Sequence, residues 1–281
     1  MAGISGSIKL RIHRANGQTE EYQTGNAVVA ALATTIHSRM SNNATVFSAG
    51  YVPSQIVVTL SGSGGSASGD ADGDRRLLAD GLGTNAYTNS VVYKKNGLTF
   101  GSASGETVAT VQLKSAGGTV VASQTSFTAI GGGTWANPGF SPSDKLDVEY
   151  TLTFIHTNMG AVDGTDYNAT LNTYRDNIIN NVVYGGTDYD IAITQATIGI
   201  DDAVLSVMPS FSLSASGTAT LSWLSVTGAI PDRIKVYTAD PDKSLAGVFW
   251  IDPDLAESDF DIAWTSGDNV TAPFAYTVSA S

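Results

Sequence analysis

The feature that most constrains this chain is a repeat of its own pattern. Ile8, Leu10 and Ile12 alternate with polar residues, as in a half-buried strand. Further on, Val29, Leu32, Ile36 and Met40 recur at helical spacing in an Ala-rich stretch, with Thr24 or Asn26 placed to cap the helix. A shift of 142 residues carries Leu10 onto Leu152, Ile12 onto Phe154, and Asn26–Ala27 onto Asn168–Ala169. The same shift carries the four helical positions onto Leu171, Tyr174, Ile178 and Val182. Strand phase and helix phase are both kept without a gap from Leu10 to Met40. Unrelated segments rarely do that, because one inserted residue turns a strand over and rotates a helix by about 100°.

The register continues after a two-residue slip. Ser54–Gln55 and the strand Ile56–Leu60 correspond to Thr194–Gln195 and the strand running to Ile200. A hairpin around Gly117–Gly118, between Val111 and Phe127, is similar to one around Asp240–Pro241–Asp242, between Ile234 and Ile251. The expected fold is mainly β with one amphipathic helix per copy: two tandem β-sandwich-like domains from an internal duplication, residues 1–143 and 144–281. The strand Leu146–Phe154 opens the second copy. If it also pairs with the first, the junction is rigid. Further short strands are expected at Ser90–Tyr93, Thr107–Leu113, Val204–Val207, Ser210–Leu213, Thr218–Leu224, Phe260–Trp264 and Phe274–Val278.

Composition then excludes chemistries. Charged residues are 14% of the chain, against about 25% in an average protein, and Gly, Ser, Thr, Ala and Asn take their place. With a net charge of −12 and 14 basic residues scattered mostly singly, there is no footprint for nucleic acid. The absence of cysteine removes disulfides, Cys-ligated zinc and thiol nucleophiles. Met1–Arg14 has no apolar core of a secretory signal, and no apolar run reaches membrane-spanning length. The expectation is a protein made in a cytoplasm that enters no membrane by itself.

Neither metal nor cofactor is expected, and no catalysis. His13, His37 and His156 stand in no metal-ligand spacing. Asp70, Asp72 and Asp74 alternate as in a calcium loop, but Gly81 occupies the place of the chelating Glu. No phosphate-binding loop or nucleophile elbow is present. The Gly/Ser/Asp stretch Ser61–Asp74 and the stretch Ile130–Phe140, with Trp135 and Phe140, hold too few apolar residues for a core of their own. Both are expected to be long exposed loops ordered by neighbouring subunits, which makes Ser61, Asp70, Asp72, Asp74, Trp135 and Phe140 the subunit-contact candidates, with Trp135 read either as a plug under its loop, the favoured reading, or as a partner contact.

The order of features in the first copy carries a resemblance. Thr24–Gly25–Asn26–Ala27 leads into the helix, and Tyr51–Val52–Pro53–Ser54–Gln55–Ile56–Val57–Val58 is the strand after it. A Gly/Ser/Asp loop, Arg75–Arg76–Leu77–Leu78, Val120–Val121–Ala122–Ser123 with Phe127, and a closing strand Leu146–Thr153 follow. This resembles structural proteins of tailed-bacteriophage virions, in particular the head domains of tail-collar and fibre-associated proteins. It departs from them in the strand end Val58–Thr59–Leu60–Ser61–Gly62 and in lacking a fibre repeat. The resemblance implies a virion component whose partners are copies of itself and other virion proteins. A tail or baseplate ring or fibre adaptor stands first, a capsid decoration protein second, and an adhesin for a host-surface glycan third.

Overall fold

The computed structural model describes residues 2–28, 30–41, 52–62, 65–70, 77–83, 86–125, 139–157, 174, 177–181, 191–200, 203–208, 210–214, 218–228, 231, 233–238, 245–250, 266–276 and 278–280. These residues are mainly β, in antiparallel sheets. The chain begins with β1 (Ala2–His13) and β2 (Thr19–Val28), then α1 (Ala30–Ser41). Next come β3 (Pro53–Leu60), β4 (Ser66–Asp70), β5 (Leu77–Gly83), β6 (Ala86–Thr99), β7 (Val108–Ser115), β8 (Val120–Gln124) and β9 (Lys145–Thr157). The remainder holds β10 (Ile193–Ile200), β11 (Ala203–Met208), β12 (Thr218–Trp223), β13 (Arg233–Thr238), β14 (Leu245–Trp250), β15 (Val270–Ala275) and β16 (Val278–Ala280).

The largest sheet has the order β4-β3-β7-β8-β2-β1-β9-β6-β5, with β16 added on β1. Within it, β9 pairs β1 from His13↔Lys145 to Ala2↔His156 and pairs β6 from Thr99↔Lys145 to Ala86↔Thr157. The alternation explains why these strands face as they do. Ile4, Ile8, Leu10 and Ile12 of β1 and Leu146, Val148, Tyr150, Leu152 and Phe154 of β9 are all buried on one face. The residues between them, Lys9 and Arg11, Asp147 and Glu149, look outward. Strand β2 follows β1 from Thr19 to Asn26 and then leaves it, so that Ala27 and Val28 pair Ser123 and Ala122 of β8. That handover uncovers the edge of Ala2–Ile4, and the last strand, β16, fills it in parallel.

Helix α1 buries Leu32, Ile36 and Met40, the face the sequence pattern assigns to it. Tyr174 and Ile178 are buried too, residues 177–181 are helical, and the Tyr174 hydroxyl donates to the Ile191 carbonyl at 2.9 Å. Val29, Leu171 and Val182 lie outside the described residues or side chains. Thr24 and Asn26 do not cap α1. They belong to β2, because the β1–β2 ladder runs on to Asn26 before the helix can begin at Ala30.

Downstream, β11-β10-β13-β14 form one antiparallel sheet and β12–β15 a two-stranded one. The order β4-β3-β7-β8 in the first half is similar in form to β11-β10-β13-β14 in the second. Each has the strand after the helix second, the next strand at the edge, and a later hairpin closing the group. Strands β3 and β10 also bury their first, fourth and sixth residues alike. Strand β9, assigned from sequence to the start of the second unit, is hydrogen-bonded on both sides by strands of the first. Buried residues of both halves form one hydrophobic cluster.

Three local expectations are corrected. Ser66–Asp70, inside the expected exposed loop, is a strand paired to β3 from Thr59↔Ser66 to Gln55↔Asp70. Its Gly/Ser composition does not prevent this, because the open edge of β3 satisfies its backbone whatever the side chains are. The turn needs Gly62 (φ 65°) and Gly65 (φ 80°). Residues 210–214 are not a strand, although the Phe211 amide donates to the Thr194 carbonyl. Residues 274–278 straddle the break between β15 and β16 rather than forming one strand. The expected strand Phe260–Trp264 lies outside the described residues.

Since Ile36 is 1% exposed, Ile36→Ala should cost about 2–5 kcal/mol in urea denaturation. Thr34→Ala on the exposed side of the same helix should stay within about 0.5 kcal/mol. Equal effects would contradict the assigned helix face.

Candidate functional site on the central sheet

The outward face of β2-β1-β9-β6 carries a ladder of charges, set by the pairing register. Lys9 lies opposite Glu149 and Arg11 opposite Asp147, while Glu149 also faces Lys94. Lys9 Nζ is 3.1 Å from Glu21 Oε2, Arg11 Nε donates to Glu21 Oε1 at 2.6 Å, and Lys94 Nζ is 3.1 Å from Glu149 Oε2. Asp147 accepts the Gly97 amide at 2.8 Å and lies 2.8 Å from His13 Nε2. A recess of about 180 Å³ lies among Lys9, Arg11, Lys94, Asn96, Asp147, Val148 and Glu149. The Lys9 ammonium, and then the Arg11 guanidinium, hold the Glu21 carboxyl below its usual range.

What this face can do chemically is limited by its own balance. Lys9, Arg11 and Lys94 are offset by Glu21, Asp147 and Glu149, so it presents no single-signed field to draw in an ion. The ion-paired side chains are roughly a third to a half exposed, and solvent screens pairs in that setting so that they add little to stability. Thr19 Oγ1, His13 and Asp147 line up in the order of a nucleophile, a base and an orienting acid. The Thr19–His13 contact is 3.4 Å long, however, and these two residues are direct cross-strand neighbours. Ordinary strand pairing accounts for the contact.

A second cluster, at the end of the same sheet, is more deeply set. Arg14 follows β1 and its side chain is 15% exposed, while that of Asp144 is 3% exposed. The guanidinium donates from Nε to Glu20 Oε1 at 2.8 Å, and from Nη1 to the Gly139 carbonyl at 2.7 Å and Asp144 Oδ2 at 2.8 Å. Asp144 also accepts the amides of Ala15 and Ser141, and the Tyr22 hydroxyl donates to Glu20. The clasp thereby joins the β1–β2 turn to the segment that feeds β9. Gly139 has no room for a side chain, since a Cβ there would lie 2.6 Å from the Gly105 carbonyl oxygen. Burial pushes the Asp144 carboxyl up, but the Ser141 amide, Arg14 and the Ala15 amide more than offset it, and the net shift is downward. Glu20 is lowered by Arg14 and then Tyr22, and Arg14 is raised, mainly by Glu20.

The residues expected to form contacts do not come together. Ser61 is half-buried; its amide donates to the Thr107 carbonyl at 2.8 Å and its hydroxyl accepts the Thr107 amide at 3.1 Å. It closes the edge of the β3–β7 ladder. Asp70 ends β4 opposite Gln55. Asp72, Asp74 and Trp135 lie outside the described residues. Phe140, expected in an exposed loop, is fully buried, with its ring edge-on to Phe100 at 5.3 Å. Its backbone is tied to Gly105 and Glu106, which draws the side chain under the sheet as a plug.

Arg14 and Asp144 were not legible as a pair, because 130 residues separate them and no local motif links them. Among the described residues, no group of three or more His, Asp or Glu side chains converges as a metal site. No described helix is long and apolar enough to cross a membrane. Comparison with protein-family models, with curated proteins and with solved structures finds no match.

The clasp predicts a pH dependence. Glu20 and Asp144 are held below their ordinary values of 4.5 and 3.8. The stability they supply is therefore complete above those values and lost as pH falls through their lowered folded values. Asp144→Asn should destabilise the protein at pH 7 by about 3 kcal/mol, and the variant should lose less on acidification than the parent. Identical acid-denaturation midpoints would contradict the clasp.

Proposed function

We propose that this protein is a non-enzymatic structural subunit built from two sandwich-like units of one duplicated design, and that it acts by assembly within a tailed-phage virion. The observation that carries the structural part is the recurrence of one strand order, β4-β3-β7-β8 and then β11-β10-β13-β14. Further support comes from the buried helical positions Leu32 and Ile36 in one half and Tyr174 and Ile178 in the other. A chain with two similar units offers two similar surfaces, so three chains match a six-fold ring. That geometry favours a tail or baseplate ring, or a fibre adaptor, over capsid decoration. The virion assignment itself rests on the resemblance in the order of sequence features.

The chemistry on the central sheet is consistent with a structural role. Its charged groups satisfy one another, and its most buried ion pair braces a turn. An acidic chain of net charge −12 suits partners with basic patches, which speed encounter and fix orientation more than they add affinity. A glycan platform would need outward aromatics; among the described residues, Trp223 and Phe140 are turned into the core.

Antibody raised against the purified chain should label virions of the source phage at one end of the tail, at a few to about a dozen copies per particle. Labelling spread over the whole shell, at hundreds of copies, would assign decoration instead. Absence of the chain from purified particles would overturn the virion reading.

A further inference from the structure

The edge strand β11 is unlike the rest of this surface. It ends its sheet, and among the described residues it pairs with β10 alone. Its sequence, Ala203-Val204-Leu205-Ser206-Val207-Met208, has no charge and no proline, two of the several devices that blunt such an edge. Val204 and Val207 are 53% and 55% exposed. A bulge explains why both point outward. Ile198 pairs Ser206 and Gly199 pairs Val204, leaving Leu205 as the extra residue. An extra residue shifts the alternation by one. Val204 and Val207 thus share the outer side, while Leu205 and Met208 pack against the core. Gly199 is required opposite the bulge, since a Cβ there would collide with the Ala203 backbone.

We propose that β11 pairs antiparallel with β11 of a second copy about a twofold axis, joining two four-stranded sheets into one of eight strands. Two observations select a second copy. The first is the palindrome of the outward residues. With the axis between Leu205 and Ser206, Val204 of each chain lies opposite Val207 of the other, so four valines that are exposed in one chain cover one another. The second is charge. Two chains of net charge −12 repel over most of their surfaces, and a six-residue neutral strand is a place where like chains meet with no like charges directly opposed. Unpaired strand N–H and C=O groups supply the ladder. The pairing gives the assembly reading one named contact, but it rests on the solution behaviour of the isolated chain. Its failure would leave particle labelling unaffected, and the reverse also holds.

Because the protein has no cysteine, the register can be tested cleanly. In the proposed pairing, positions 204 and 207 of opposite chains are adjacent, with Cβ atoms about 4.5–5.5 Å apart. Equal positions are about 10 Å apart, beyond disulfide reach. A mixture of Val204→Cys and Val207→Cys chains should crosslink under mild oxidation at least about tenfold faster than either variant alone. By light scattering, the parent should exceed its 29.1 kDa monomer mass and approach twice that value, more completely at high salt, which screens the net charge. Val207→Lys should return it to the monomer mass with an unchanged melting temperature, because the side chain is outside the core. A parent that stays monomeric at every salt and concentration overturns the proposal, even if β11 binds a different protein. So does a dimer that survives Val207→Lys, or crosslinking as fast in the single variants as in the mixture.

Discussion

Strand β9 is hydrogen-bonded along almost its whole length on both edges, to β1 on one side and β6 on the other. Few constraints act as strongly on a β protein. A strand paired on both sides can slip neither way without breaking two ladders, and a slip by one residue would turn Leu146, Val148, Tyr150, Leu152 and Phe154 out to solvent. With the register locked, the outward face is locked as well. Lys9, Arg11, Lys94, Asp147 and Glu149 meet because β9 sets their opposites. The Arg14 clasp works at the entry to this strand. Asp144 immediately precedes β9, and the guanidinium that holds it comes from the end of β1.

The same arrangement shapes the relation between the two halves. In the first half, β9 follows β8 in the chain and lies between β1 and β6 in the sheet. By the 142-residue register it also stands where a second unit would begin. Among the described residues, β12 and β15 pair only with each other. The chain's last strand returns instead to the first half, where β16 lies on the part of β1 that β2 has left. The two ends of the chain are therefore joined in one sheet, and the division at 143 that the sequence pattern suggests is crossed by backbone hydrogen bonds.

Legibility in the sequence followed the physics of each element. Alternation in β1 and β9, the helical spacing of Leu32, Ile36 and Met40, and the Gly117–Gly118 hairpin were readable, because burial on one face imposes a period that the residues record. The hairpin turn closes with Gly118 at φ 82°. Strand β4 was not readable. Ser66-Ala67-Ser68-Gly69-Asp70 is held by main-chain pairing at a sheet edge, and the Lys95 side chain lies over Gly69. Phe140 sat in a Gly-rich context that suggested exposure, yet backbone bonds to Gly105 and Glu106 carry it into the core. The Arg14 clasp and the outward valines of β11 depend on contacts distant in sequence and on a one-residue bulge, neither of which leaves a local period.

Hydrogen exchange resolved to single strands tests the central claim most directly. If β9 is the doubly paired strand on which the fold is built, the amides of Leu146–Phe154 should exchange only through global unfolding. Their opening free energy should equal the stability measured by denaturant, and the amides of edge strand β4 should open at lower cost. Amides of β9 that exchange as readily as those of β4, under conditions where the protein remains folded, would contradict the account.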